Sequence, residues 1–251
     1  MSRIGFIGTG HIAAPMVRRM VALGHEVIVT TRNTEVSSRL VASHGVKALE
    51  PQEVLDASEI VFICLRPAVA PDILSHLTFR AEHQIISVMA EHSEATLQNL
   101  CSPATSITRT IPLGFVEKGD CPLPVWGDAG LVTALFGSDN TILPMPQEDG
   151  LNAILTASAF MASQLDLLNT VANWTKSQIG DADVSEAYIR TLVSGFLMAM
   201  PRDTGSLEAE RDGLTLPGSL NRQVMEALQE AGTHATLTRA LDDVYERLTS
   251  K

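Results

Sequence analysis

Near the start of the chain, Gly8, Gly10 and Ala13 stand at a spacing that suits one particular task. They follow the apolar run Arg3-Ile4-Gly5-Phe6-Ile7, which reads as a buried strand. Gly8 permits a tight turn, Gly10 lets a diphosphate approach the backbone, and Ala13 is small enough for a helix to pack on the strand. Ile12, Met16, Met20 and Leu23 recur at helical spacing, and Gly24 ends that pattern. The free amides of the helix's first turn make an anion site. Val27-Ile28-Val29 reads as a second strand, so strand, turn, helix and strand fit within the roughly thirty residues of a βαβ unit. Gly8, Thr9, Gly10, His11 and Ile12 are the expected dinucleotide loop. His11 either approaches the pyrophosphate or faces solvent.

The end of the second strand bears on which dinucleotide is held. An acid there bonds the ribose hydroxyls of NAD. This chain carries Thr31, Arg32 and Asn33 instead. With a cation and no carboxylate at the strand end, a 2′-phosphate fits, and NADP is the expected cofactor.

A second candidate lies far along the chain. Pro217-Gly218-Ser219-Leu220-Asn221 reads as the opening of a helix with Ser219 as cap. Amides there could hold a carboxylate or merely begin a helix. Asn173 and Lys176 lie on a helical stretch, where a solvated face competes with a catalytic role. His76, His83 and His92 have no acid or cysteine partners at metal-ligand spacing, so no metal is expected. Cys64, Cys101 and Cys121 form no pair and read as reduced thiols. Neither a serine nucleophile elbow nor a P-loop occurs.

The elements that must position these groups alternate at first. After the βαβ unit come a helix over 35–43, a strand at 46–49, a helix at 51–57 and the continuous apolar strand 59–65. Such a run suits a parallel sheet covered on both faces. A helix at 69–77 and strands at 84–89, 108–111 and 141–143 follow, with Gly119 to Gly137 read as irregular. Beyond Pro146 the pattern is helical throughout. One helix of about six turns starts near Leu151, a second covers 184–200, 208–212 is a charged connector, and two further helices follow. The fold class is therefore α/β, an N-terminal doubly wound Rossmann sheet (1–147) followed by an all-α domain (148–251).

Across the 251 residues the net charge is −11. It is uneven, because Arg3, Arg18, Arg19, Arg32, Arg39 and Lys47 outnumber the acids of the first fifty residues. A locally positive start in an acidic protein suits a small polyanion and argues against nucleic acid. The start MSRIGFIGTG shows no signal-peptide pattern, and the longest strand-like apolar run, Ile60 to Leu65, is too short to span a membrane. A cytoplasmic protein acting on a small molecule, without a membrane partner, is the expectation.

Four stretches carry a resemblance to a known family: IGFIGTGHIAAPM, VFICLRP, TRTIP and LTLPGSLNRQVMEALQEAG. In that order they resemble the pyrroline-5-carboxylate reductases, which reduce a cyclic imine acid with NAD(P)H. The resemblance implies that Leu65, Arg66, Pro67 and Ala90 join the cofactor site. It also implies that Pro217, Gly218, Ser219, Leu220 and Asn221 bind the substrate, with Asn221 and Ser219 as catalytic groups. A homodimer through the C-terminal helices is implied too, and their apolar stripes agree with it. The chain departs from the family at Ile111-Pro112-Leu113, where the family has Met-Pro-Asn, near 159–163, and at Asn221, where the family has a threonine. The expected activity is NADPH-dependent reduction of C=N. A hydroxyacid-type enzyme acting on C=O and a catalytically silent NADP-binding protein are the alternatives.

Overall fold

The structure, a computed structural model, describes residues 1–201 and 206–250. The chain divides into two compact units, Met1–Leu155 and Thr156–Lys251. From sequence the division falls at 147/148.

The first unit carries β1 (Arg3–Ile7), α1 (Ala13–Ala22), β2 (Glu26–Thr30), α2 (Thr34–His44), β3 (Lys47–Leu49), α3 (Pro51–Ala57) and β4 (Ile60–Ile63). It continues with α4 (Ala70–Leu74), β5 (Gln84–Ser87), α5 (Glu94–Leu100), β6 (Ser106–Thr110), β7 (Pro122–Trp126), α6 (Ala129–Phe136) and β8 (Thr141–Pro144). The strands form one sheet in the order β3-β2-β1-β4-β5-β6-β7-β8. Neighbours are parallel except β6 and β7. Both faces are covered. Phe6, Phe62, Met16 and Phe136 lie in one fully buried layer, Val61, Ile63, Ile85 and Leu97 in the other. Phe6 and Phe62 stack with ring centres 4.6 Å apart.

The segment expected to be irregular, Gly119 to Gly137, contains β7 and α6. Pro122 and Pro124 hide the strand from a pattern reading. They are tolerated because the Cys121 and Val125 carbonyls accept amides beside β8, which turns the two proline nitrogens toward the opposite edge. There β7 meets β6 only at Val125 and Trp126. α5 escapes the pattern reading as well; Ser93 caps it by accepting the Thr96 amide at 3.2 Å.

The long helix expected after Leu151 is two, α7 (Gly150–Ser158) and α8 (Phe160–Ile179), and α7 crosses from the first unit into the second. By length and composition the stretch Gly150–Ile179 is apolar enough to cross a membrane, with a mean hydropathy of 1.3. α9 (Ala182–Ala199), α10 (Leu207–Leu214), α11 (Leu220–Glu230) and α12 (Thr233–Thr249) complete the second unit. α10 replaces the expected connector; its charges hide a helix capped by Ser206 through the Ala209 amide. α8 and α9 pack as an antiparallel-type hairpin joined at Gly180 and Asp181, whose carboxylate caps α9. Among the described residues of this unit only Thr156, Ser185 and Ile189 are buried. Leu165, Trp174, Met198, Leu220 and Val224 are all more than half exposed.

Candidate active site

In the first unit the strand order reverses between β1 and β4, the position where open α/β sheets bind ligands beyond their carboxyl ends. A cleft of about 460 Å³ lies there. Gly8, Thr9 and Gly10 from the end of β1, Arg32 and Asn33 from the end of β2, and Leu65 and Arg66 beyond β4 all line it. Gly8 has φ +103°, and a Cβ on it would stand 2.5 Å from the Cys64 carbonyl oxygen. Its amide donates to Thr30 Oγ1 at 2.9 Å, and the Thr9 hydroxyl donates to the Thr30 carbonyl at 3.2 Å. The turn is thus tied to β2. At Gly10 the space a Cβ would take is open to 4 Å. α1 begins just beyond without a side-chain cap; the Ala14 amide donates to the Gly10 carbonyl at 3.0 Å and Pro15 has no N–H, so the amides that could meet an anion are those leading into the helix, His11 to Ala13. A turn fixed at Gly8 and open at Gly10 fits a pyrophosphate.

The β2 end supplies the charge. Arg32 is exposed and makes no ion pair among the described residues. Asn33 caps α2, its side-chain oxygen accepting the Val36 amide at 3.3 Å. Thr31 lies beside the cleft rather than in its wall, donating its hydroxyl to Glu50 Oε1 at 2.9 Å. Glu50 also closes a capping box on α3 with Glu53. Thr34, Glu35, Cys64 and Val69 line the cleft as well, and the sequence reading missed them. For Thr34 and Glu35 the signal was Asn33 itself, whose capping role places both in the first turn of α2. Arg39 holds the Glu35 carboxylate at 2.8 Å, which draws its charge away from Arg32.

His11 is exposed at the helix mouth, and Ile12 heads α1 and leans on the core. Neither is part of the cleft wall. Pro67 opens a short 3-10 turn, and its carbonyl accepts from His92 Nε2 at 3.0 Å. The Ala90 carbonyl accepts from Arg109 at 2.8 Å. Burial pushes the Cys64 and Cys121 thiols above their usual range and that of Cys101 up to about 12, so none is a ready nucleophile. Among the described residues no group of three or more His, Cys, Asp or Glu is placed to hold a metal ion.

In the second unit, α11 begins where the sequence puts it, with Ser219 as cap. The Ser219 oxygen accepts the Arg222 amide at 3.3 Å while its only proton goes to the Leu214 carbonyl at 3.1 Å. That proton is committed to the cap, a different task from the catalytic one expected for Ser219. Pro217, Gly218 and Ser219 line a groove with Arg222 and Glu226. Asn221 faces elsewhere, into a hollow of about 300 Å³ with Phe196, Met200 and Met225. Three of the expected substrate residues therefore share one wall at the helix start while Asn221 takes another, and Leu220 is 80% exposed between them. Asn173 and Lys176 do share a wall, in a cavity of about 460 Å³ between α8 and α9 that Glu186 and Arg190 close.

Comparison with known proteins agrees with this architecture. Residues 3–91 match the family described as NADP oxidoreductase, coenzyme F420-dependent. Pyrroline-5-carboxylate reductase 3 of Danio rerio is 26% identical across 98% of this chain and 90% of its own length. The structure of 1-pyrroline-5-carboxylate reductase from Streptococcus pyogenes superposes with a TM-score of 0.84 at 18% identity, covering 100% of this chain and 99% of that one. The Plasmodium falciparum pyrroline carboxylate reductase with NADP bound also gives a TM-score of 0.84, at 12% identity over 99% of this chain and 97% of that one. With a dinucleotide-type cleft at the switch point of its sheet, the chain is similar along its whole length to pyrroline-5-carboxylate reductases.

Proposed function

We propose that this protein is an NADPH-dependent reductase of a C=N bond, acting on 1-pyrroline-5-carboxylate or a related cyclic imine acid. The observation that carries the reading is the cleft itself, with its left-handed turn at Gly8, its open approach at Gly10 and, at its β2 end, Arg32, which makes no ion pair among the described residues. Bound there, the cofactor supplies a hydride from its nicotinamide ring. The chain's own part is positioning. The amides leading into α1, from His11 to Ala13, hold the pyrophosphate. Arg32 and the Thr34 and Glu35 amides receive a 2′-phosphate, which selects NADP over NAD. In the helical unit, the Leu220 and Asn221 amides at the start of α11 suit a substrate carboxylate. Asn221 presents a polar amide in a hollow where Phe196, Met200 and Met225 stand beside Glu210 and Arg211, and its apolar side suits the methylenes of a small ring beside a C=N nitrogen. Asn221 offers both a donor and an acceptor to that nitrogen. Since neither Asn221 nor the committed Ser219 hydroxyl releases a proton readily, water supplies it.

The poorly buried helices support a homodimer built from the C-terminal unit, since a helical unit of this size needs a partner to cover its apolar faces. The same need accounts for the apolar stretch Gly150–Ile179, which also bears Asp166 and Lys176, without a membrane. Reduced, buried thiols fit a cytoplasmic protein. The Asn173–Lys176 cavity favours the second reading, a hydroxyacid-type enzyme acting on C=O. Steady-state NADPH oxidation with 1-pyrroline-5-carboxylate, other cyclic imines and a set of 2-oxo and 3-oxo acids separates the two. Turnover confined to imines supports the proposal, and turnover confined to the acids overturns it. Light scattering at micromolar concentration should show a dimer.

A further inference from the structure

One guanidinium is buried at the carboxyl end of the sheet, outside the wall of the cofactor cleft. Arg109, on β6, is 5% exposed. One of its terminal nitrogens donates to Glu148 and the other to the Ala90 carbonyl at 2.8 Å. Its Nε has no partner among the described residues. A charge held this far from water must be paired and hydrogen-bonded, and these contacts determine what it holds still.

They converge on the loop that follows β5. Ala90 is held by Arg109, and the amide of Glu94, which opens α5, donates to the same Glu148 carboxylate. The Glu94 carboxylate in turn accepts from Trp126 Nε1 at 2.7 Å. Between these points His92 donates to the Pro67 carbonyl at 3.0 Å, which joins the β5 loop to the β4 loop. Leu65 and Arg66, just before Pro67, line the cofactor cleft.

The placement of a dinucleotide follows from the sheet order. Its 2′-phosphate end lies over β2, and its pyrophosphate lies at the start of α1, beyond β1. The remaining, nicotinamide half must continue over the next strands, β4 and β5. We propose that Arg109, through Ala90, and His92, through Pro67, are positioning residues that shape the nicotinamide half of the cleft. This rests on the dinucleotide reading above.

The test compares two ligands, NADP⁺ and 2′,5′-ADP, which lacks the nicotinamide half. Their dissociation constants are measured by calorimetry for wild type, Arg109→Lys and His92→Phe. Arg109→Lys keeps the charge that Glu148 needs but cannot reach both partners. His92→Phe removes the Pro67 tie and leaves the buried pair intact. Each variant should bind NADP⁺ roughly three- to tenfold more weakly, the effect of one shielded hydrogen bond, with 2′,5′-ADP unchanged. The fluorescence of bound NADPH should shift toward that of the free cofactor. Equal losses for both ligands would make the network a general stabiliser, and unchanged NADP⁺ binding in both variants would give it no role; either overturns the proposal. Wild type that binds neither ligand would instead overturn the dinucleotide reading beneath it.

Discussion

Gly8 and Gly10 are two residues apart and respond to the same substitution for different reasons. An alanine at Gly8 would have to keep φ near +103° with its Cβ 2.5 Å from the Cys64 carbonyl oxygen, which is backbone and cannot rotate away. Strain of that kind costs roughly 2 kcal/mol, and in a chain of this size that lowers Tm by roughly 4–8 °C. An alanine at Gly10 meets nothing within 4 Å and needs no unusual φ. Gly10→Ala should leave Tm unchanged, yet its methyl would occupy the space through which the pyrophosphate reaches the α1 amides. Losing one or two charge-assisted hydrogen bonds weakens NADPH binding roughly ten- to a hundredfold. Thermal unfolding without ligand and calorimetric NADPH titration on both variants separate the effects. Gly8→Ala should fail in both measurements and Gly10→Ala in binding alone. A Gly10→Ala protein with wild-type NADPH affinity would refute the placement of the pyrophosphate.

Arg32→Glu should weaken NADPH binding and leave NADH binding equal or tighter, with the wild-type preference for NADPH shrinking as salt rises; wild type that binds NADH as well as NADPH contradicts the assignment of Arg32. Asn221→Ala should lower kcat on the imine by the factor that roughly 1–3 kcal/mol represents while NADPH affinity stays the same, and unchanged turnover would make Asn221 a surface residue. His83 is fully buried, its Nδ1 accepts the Arg80 amide at 3.0 Å, and burial, with Arg80 nearby, holds its pKa below the usual value of 6.5. The folded state therefore favours the neutral ring, so the His83 contribution is full above pH 6.5 and is lost as pH falls through and below that value. Denaturant midpoints between pH 8 and 5 should fall with acid in wild type and fall less in His83→Gln.

The cofactor half was legible because its signals are local. Turn, helix start and second strand follow one another within a short stretch, so spacing alone predicts the Gly8–Gly10 loop and the β2 end. β7 was not legible, because its prolines are acceptable only on account of which edge meets β6, a property of the sheet rather than of the segment. α10 was masked by the charges that solvate it. At α11 the cap was readable from Pro217-Gly218-Ser219, but a linear motif does not say which face each residue takes. Gly218 turns with φ +79° before the cap, outside the helix that carries Asn221, and the two border different hollows. The Arg109–Glu148 pair spans 39 positions in sequence, and no periodicity joins residues that far apart.

The central claim is that this chain transfers a hydride from NADPH to the carbon of a C=N bond. The most direct measurement incubates the protein with NADPH deuterated at the nicotinamide C4, in each stereochemical form, and 1-pyrroline-5-carboxylate, and analyses the product by mass spectrometry. The account predicts that one form of the cofactor, and not the other, places its deuterium on the ring carbon beside nitrogen of the reduced amine. No deuterium in the amine with either form of the cofactor would contradict it.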